Sequence, residues 1–120
     1  MHLVFVTKYR RGVFTDAILR DCEAHMRNIC ADFGADLTEF NGEDDHVHIL
    51  VTFPASARLS ELVRALKGVS SRLLRRDHAD HLSKYLWGGH LWSRSYYAGT
   101  TGGANLDTIK KYVQNQRRPS

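Results

Sequence analysis

The run His46-Val47-His48-Ile49-Leu50-Val51-Thr52-Phe53 leaves this chain few ways to fold. It is apolar and β-branched, Pro54 closes it, and it reads as a strand. Successive side chains of a strand point to opposite faces. His46, His48, Leu50 and Thr52 therefore share one side, and Val47, Ile49, Val51 and Phe53 share the other. The wholly apolar side has to be covered by helices, while the side carrying two imidazoles stays open.

The remaining pattern supplies both layers. Residues 3–7 form a short apolar, β-branched strand. Over residues 16–33, Ile18, Cys22, Met26, Ile29, Cys30 and Phe33 recur at helical spacing, with Thr15 as N-cap and Gly34 as stop. Residues 37–40 form a weaker strand, and Asn41-Gly42 signals a hairpin turn. Ser60 is placed to cap a helix to about Arg76 with Leu62, Val63, Leu66, Val69, Leu73 and Leu74 inward. Residues 92–100 read as a strand, residues 99–103 as a glycine-rich hinge and residues 106–117 as a final helix. The order β-α-β-β-α-β-α predicts an α+β fold of ferredoxin-like, split βαβ type. Its antiparallel sheet has helices on one face, and a C-terminal helix follows, all in one domain over residues 1–120.

Composition excludes several classes. Of the 120 residues, 42% are hydrophobic and 25% charged, a balance unlike that of disordered or coiled-coil chains. No stretch approaches the roughly 20 apolar residues of a membrane span, and the N-terminal apolar run is too short for a signal peptide. Cys22 and Cys30 lie on the apolar helix face as small core hydrophobes, so a reduced, cytoplasmic setting is expected. The formal charge of +4 permits a polyanionic partner without requiring one. Basic residues gather at Lys8, Arg10 and Arg11, along Arg64 to Arg76, and at Lys110, Lys111, Arg117 and Arg118.

His46 and His48 have Cα atoms about 6.5 to 7 Å apart on the open side, close enough for both rings to reach one divalent cation. Two solvent-facing histidines are the plainer reading of the same spacing. The neighbouring residues exclude richer histidine motifs. Ile49-Leu50-Val51 replaces the Asp-His pair of a metallo-β-lactamase type, Leu50 replaces the third His of a histidine-triad hydrolase, and the Cys-x-x-Cys of a zinc deaminase is missing. Two imidazoles leave the coordination shell short, so a further ligand must come from elsewhere. In the last helix Tyr112 and Gln116 are four apart on one face beside an Ile109/Val113 packing stripe, with Lys110, Lys111 and Arg117 around them. A phenol and a carboxamide there suit a phosphate-handling site, Gln as a hard ligand for Mg²⁺ or Mn²⁺ and Tyr as a nucleophile. A tyrosine closing the edge of the core fits the spacing too. Tyr96 and Tyr97 divide between core and surface on a strand, and Tyr9 and Tyr85 fall in turn-like contexts. Gly68 inside a helix implies a close approach of backbone or of a bound partner.

Five blocks occur in order: residues 3–14 (Leu-Val-Phe-Val-Thr-Lys-Tyr-Arg-Arg-Gly-Val-Phe), Asp45-His46-Val47-His48, residues 66–72, residues 91–97 and residues 109–116. Together they resemble the single-tyrosine HUH transposases of the IS-two-hundred/IS-six-hundred-and-five insertion-sequence family (IS200-like), over nearly the whole chain. The resemblance implies a metal-dependent endonuclease and strand transferase acting on single-stranded DNA at hairpin-marked ends. His46, His48 and Gln116 would be the metal ligands for Mg²⁺ or Mn²⁺, and Tyr112 the nucleophile forming a 5′-phosphotyrosine. It further implies a homodimer whose active sites are completed in trans through the hinge, in a bacterial or archaeal cytoplasm and on the nucleoid when DNA is bound. Lys8, Arg10, Arg11, Arg64, Lys67, Arg72, Arg75 and Arg76 are the candidate DNA contacts. The alternatives are a non-catalytic hairpin-binding protein, a domesticated transposase acting on repeated extragenic palindromes, and a metal phosphoesterase using water, for which Tyr112 would be dispensable. Protonation of the two histidines predicts activity falling below about pH 6.

Overall fold

A strand with one dry side belongs in the middle of a sheet, and His46–Thr52 (β3) is found there. The computed structural model describes residues 1–8, 11–85, 90–99 and 106–115, excepting the side chains of 106–110. The other elements are β1 (His2–Val6), α1 (Asp16–Asp32), β2 (Asp36–Gly42), α2 (Leu59–Asp77), the single turn α3 (Ala79–Leu82), β4 (Tyr97–Gly99) and α4 (Leu106–Asn115). The strands lie in the order β2-β3-β1-β4 and every neighbouring pair is antiparallel, the expected α+β arrangement with β3 inserted between β1 and β2.

Register decides which side chains meet. Opposite β3, Val6 faces His46, Val4 faces His48 and His2 faces Leu50. By alternation Leu3 and Phe5 join Val47, Ile49 and Val51 in the large core beneath α1 and α2. Val4 and Val6 point the other way and are buried with Val113 of α4. The last helix thus packs on the sheet side opposite α1 and α2, the side that carries the histidines.

Local signals hold where they are strong. Thr15 caps α1 by accepting the Ile18 N–H at 3.2 Å, and Gly34 ends it with φ of 71°, a conformation that suits a residue without Cβ. Ile18, Cys22, Met26, Ile29 and Cys30 are buried as expected. Burial pushes the Cys22 thiol up to about 12 and Cys30 to about 11, so both are inert core groups.

Three expectations are corrected. The β2–β3 turn falls at residues 43–45 rather than at Asn41-Gly42, which continue β2 opposite His48 and Val47. Gly42 serves a close approach instead, because a Cβ there would lie 2.5 Å from a methyl of Leu19 on α1. The second helix starts before Ser60: the Leu62 N–H donates to Arg58 O, and Arg58 is the cap residue without a side-chain cap bond. The last strand shrinks to Tyr97–Gly99, since Trp92 makes one backbone pairing with Thr7 and sends its indole into the core against Phe5 and Phe14. Of the expected hinge, Gly99 belongs to β4, while residues 100–103 and the end of the last helix at 116–117 lie outside the described residues.

Candidate functional site

β3 enters the sheet directly from the acidic turn, and this positions its first histidine. The Thr7 N–H and hydroxyl both donate to Asp45 O, which fixes the turn to the end of β1. Asp45 is buried, and its carboxylate oxygen lies 2.8 Å from His46 Nδ1. A carboxylate on one ring nitrogen orients an imidazole and leaves Nε2 for a ligand, the usual support of a metal-binding histidine. Glu43, Asp45 and His46 offer ligand atoms all within 4.8 Å of one another, a group compatible with a divalent cation.

His48, half-buried one alternation along, is held differently. Its Nε2 shares a 2.7 Å hydrogen bond with Nδ1 of His2, and the ring centroids are 4.9 Å apart. Burial, reinforced by the nearby His2 and His46 rings and opposed by Glu39, holds the His48 pKa below the ordinary histidine value of 6.5. The ring is neutral at physiological pH, the form that binds metal.

On the same side, α4 brings Tyr112 against Val4 and Val6, the cross-strand partners of His48 and His46. Val113 is buried on the strand valines, while Tyr112 packs partly buried beside Tyr97, ring centroids 6.0 Å apart. The Tyr112 hydroxyl lies 3.0 Å from Ser95 Oγ. Burial raises the phenol pKa above 10 and the Ser95 bond draws it back in part, so the group rests protonated. Tyr96 packs on the α1/α2 core, and Tyr97 packs on the α4 side rather than taking the surface, because α4 covers that side of the sheet. Gln116 and Arg10 lie outside the described residues.

The basic residues of α2 converge on a groove of about 660 Å³ between that helix and residues 90–94. Lys67, Arg72, Arg75 and Arg76 line it together with Arg94, which the sequence reading passed over. Arg64 is exposed but is not among its lining residues. Lys67 does structural work too: its ammonium donates to Ser93 O at 2.6 Å and Arg94 O at 3.0 Å, and burial lowers its pKa. Trp92 Nε1 donates to the buried Ser70 hydroxyl of α2, a second tie between the groove walls. Arg76 is hydrogen-bonded to Asp77, and Arg11 donates to Tyr85 O. Lys8 reaches the same wall through its N–H on Leu91 O. Among the described residues a Cβ on Gly68 would meet nothing within 4 Å, so none of their backbone approaches it, and Gly68 lines the groove.

His2 and Ser95 were missed. The parity of residues 2, 4 and 6 was readable, but the pairing of β1 with β3 was not, and Ser95 carries no signal short of the docking of α4.

Among the described residues no helix is long and apolar enough to cross a membrane. A family model described as "Transposase IS200 like" matches residues 1–116. The chain is 31% identical over 115 residues to the ISDra2 transposase TnpA of Deinococcus radiodurans, covering 96% of this chain and 81% of that one. It is 32% identical to the transposase for insertion sequence element IS200 of Salmonella typhimurium, covering 96% and 74%. A Deinococcus radiodurans crystal structure assigned as a transposase superposes with a TM-score of 0.86 at 32% identity, covering 96% and 88%. The fold alone is shared with a REP-associated tyrosine transposase bound to a REP hairpin: TM-score 0.60, 12% identity, covering 93% and 60%.

Proposed function

Because the chain belongs to the IS200-like transposase family, we propose that it cleaves and rejoins single-stranded DNA at hairpin-marked element ends, with Tyr112 as nucleophile. The observation that carries this reading is the seating of the Tyr112 helix on Val4 and Val6, directly across β1 from His48 and His46. A nucleophile and two neutral or carboxylate-held imidazoles on one sheet face suit phosphoryl transfer, where positioning and charge neutralisation carry most of the rate.

His46 and His48, with Gln116, would hold a divalent ion, Mg²⁺ or Mn²⁺. The donor set fits: one imidazole is oriented by Asp45 and the other is kept neutral by burial. Such an ion, when bound, supplies Lewis-acid polarisation of the scissile phosphate. Tyr112 Oη attacks phosphorus, the phenol proton passes to solvent, and the bond to the 3′-oxygen breaks. That oxygen takes up a proton to become a 3′-hydroxyl, and the 5′-phosphate stays on Tyr112. Attack by another 3′-hydroxyl reverses the step and rejoins DNA without a nucleotide cofactor. Ser95 acts as a positioning residue by holding the Tyr112 hydroxyl.

DNA is held by the groove residues Lys67, Arg72, Arg75 and Arg76, with Lys8, Arg10, Arg11 and Arg64 as further phosphate contacts. Gly68 supports this placement. A helix-interior glycine costs about 1 kcal/mol against alanine, and among the described residues no atom occupies the space it leaves.

The deciding experiment incubates the protein with single-stranded oligonucleotides from the DNA flanking its gene and Mg²⁺ or Mn²⁺, beside Tyr112→Phe. A metal-dependent, SDS-stable adduct lost in the variant is expected. Cleavage without an adduct, surviving in Tyr112→Phe, would transfer the reading to a water-using phosphoesterase. Binding without cleavage would favour a hairpin-binding protein. Two copies exchanging α4 through the 99–103 segment is the proposed assembly, and mixing Tyr112→Phe with His48→Ala tests it. Restored adduct signals completion in trans, and its absence signals that each chain serves itself.

A further inference from the structure

A proton must leave Tyr112 as its oxygen bonds to phosphorus, and the seam beneath the ring cannot take it. Val4, Val6 and Val113 are apolar and buried, and burial is what raises the phenol pKa. The hydroxyl itself lies 3.0 Å from Ser95 Oγ, on the segment that leads into β4. Tyr112 is half-buried and Ser95 is exposed, so the serine joins the phenol to solvent. Ser93 Oγ lies 3.4 Å from Ser95 Oγ. This segment is held from both sides: the Ser93 N–H donates to Val6 O at 2.7 Å, and Lys67 of α2 donates to Ser93 O and Arg94 O. Ser95 is not part of α4, so an α4 from either copy seated on Val4 and Val6 meets the same hydroxyl.

A serine hydroxyl accepts one hydrogen bond while donating another, which is what a relay requires. We propose that Ser95 relays the proton of Tyr112 to solvent during attack, as a catalytic residue in contact with the reacting oxygen. The proposal rests on the reading of Tyr112 as nucleophile and adds to the positioning role of Ser95. As the bond from Tyr112 Oη to phosphorus forms, the phenol proton passes to Ser95 Oγ and the serine's own proton passes to water. The electron pair of the broken bond leaves with the 3′-oxygen, which takes up one proton from solvent. Ser95 ends as it began, and no further reactant is consumed. Rejoining runs the same transfers backwards and returns a proton to the phenol oxygen.

Adduct formation in a single turnover is measured on the full chain with the flanking-DNA oligonucleotides and saturating Mg²⁺ or Mn²⁺, comparing the unmodified protein with Ser95→Ala and Ser95→Thr. Each is made with the natural Tyr112 and with difluorotyrosine in its place, a phenol acidic enough to be largely ionised at neutral pH. Ser95→Ala is expected to slow the step about a hundredfold with the natural phenol. With difluorotyrosine the same substitution is expected to slow it less than about threefold, because little proton remains to be relayed. Ser95→Thr, which keeps a hydroxyl, is expected to recover most of the rate. A role in positioning alone gives the same loss with both phenols, and that result overturns the relay. An undiminished rate in Ser95→Ala overturns it equally. The unmodified chain gives a second measurement that needs no variant. Its rate in mixtures of H₂O and D₂O is expected to fall along a curve, as more than one proton moves in the step, and a straight line overturns the proposal. If the unmodified chain forms no adduct, the reading of Tyr112 as nucleophile falls and the relay falls with it.

Discussion

The two sides of the four-stranded sheet are built on opposite principles. Beneath α1 and α2, Leu3, Phe5, Val47, Ile49 and Val51 are fully buried in a core of apolar neighbours. On the other side Val4, Val6 and Val113 form a small dry seam, and around it lie His2, His46, His48, Tyr97 and Tyr112, all half-buried. The first side stabilises the fold through area removed from water. The second is covered by one ten-residue helix, enough to seat a tyrosine while imidazole and phenol stay within reach of solvent. The proposed chemistry on DNA phosphates requires that partial opening, since a fully packed face would exclude an ion and a substrate alike.

The largest effect that would break the contrast is chemical. Tyr112→Phe is expected to abolish the covalent DNA adduct, a loss of at least about a thousandfold in cleavage, because the attacking oxygen is gone. Its stability should fall by only about 1 kcal/mol, the loss of the Ser95 hydrogen bond, as read by thermal melting. A large drop in melting temperature would mean that the site side carries the fold after all.

Next come paired truncations. Phe5→Ala should cost about 3–5 kcal/mol in denaturant unfolding, whereas Val113→Ala, on the thin seam, should cost about 1–2 kcal/mol and mainly reduce adduct yield by loosening α4. Equal costs would erase the difference between the sides.

A pH series sharpens it further. The folded chain holds the His48 pKa below 6.5, so the native state binds that proton less readily than the unfolded chain. This contribution to stability is present above pH 6.5 and is lost as pH falls through the depressed folded value. Calorimetric Mn²⁺ affinity should likewise fall as pH falls, because protons compete with the ion for the ligand imidazoles. His48→Gln should remove the His48 component of the stability profile.

The smallest effect lies on α2. Gly68→Ala should raise stability by about 1 kcal/mol while weakening binding of hairpin oligonucleotides in a gel-shift assay. Arg72→Ala should reduce the salt dependence of that binding by about one unit of slope. A Gly68→Ala protein that binds DNA unchanged would show that the groove floor is not contacted.

Elements with a local cause were legible along the chain. The Thr15 cap, the helical stripe from Ile18 to Cys30, the alternation through β3 and the placing of Val113 on a packing stripe beside Tyr112 all follow from side chains within a few residues of one another. Spacing alone therefore brought His46, His48 and Tyr112 forward as candidates. What spacing could not assign was competition for a residue. Gly42 looked free to turn but is required where Leu19 crosses β2. Trp92 looked like strand but belongs to the core and to Ser70, and Lys67, a candidate phosphate contact, also ties the groove together by holding Ser93 O and Arg94 O.

Composition and periodicity by themselves determined that this chain folds as a sheet under helices, with an imidazole pair on the open side. Only the tertiary structure decided that α4 crosses to that side, that Ser95 meets Tyr112, and that His2 meets His48. The physical reason is separation: a period of two or 3.6 reports which face a residue takes within its own element. Contacts across 17 or 46 residues depend on strand register and helix docking, which the whole core sets at once.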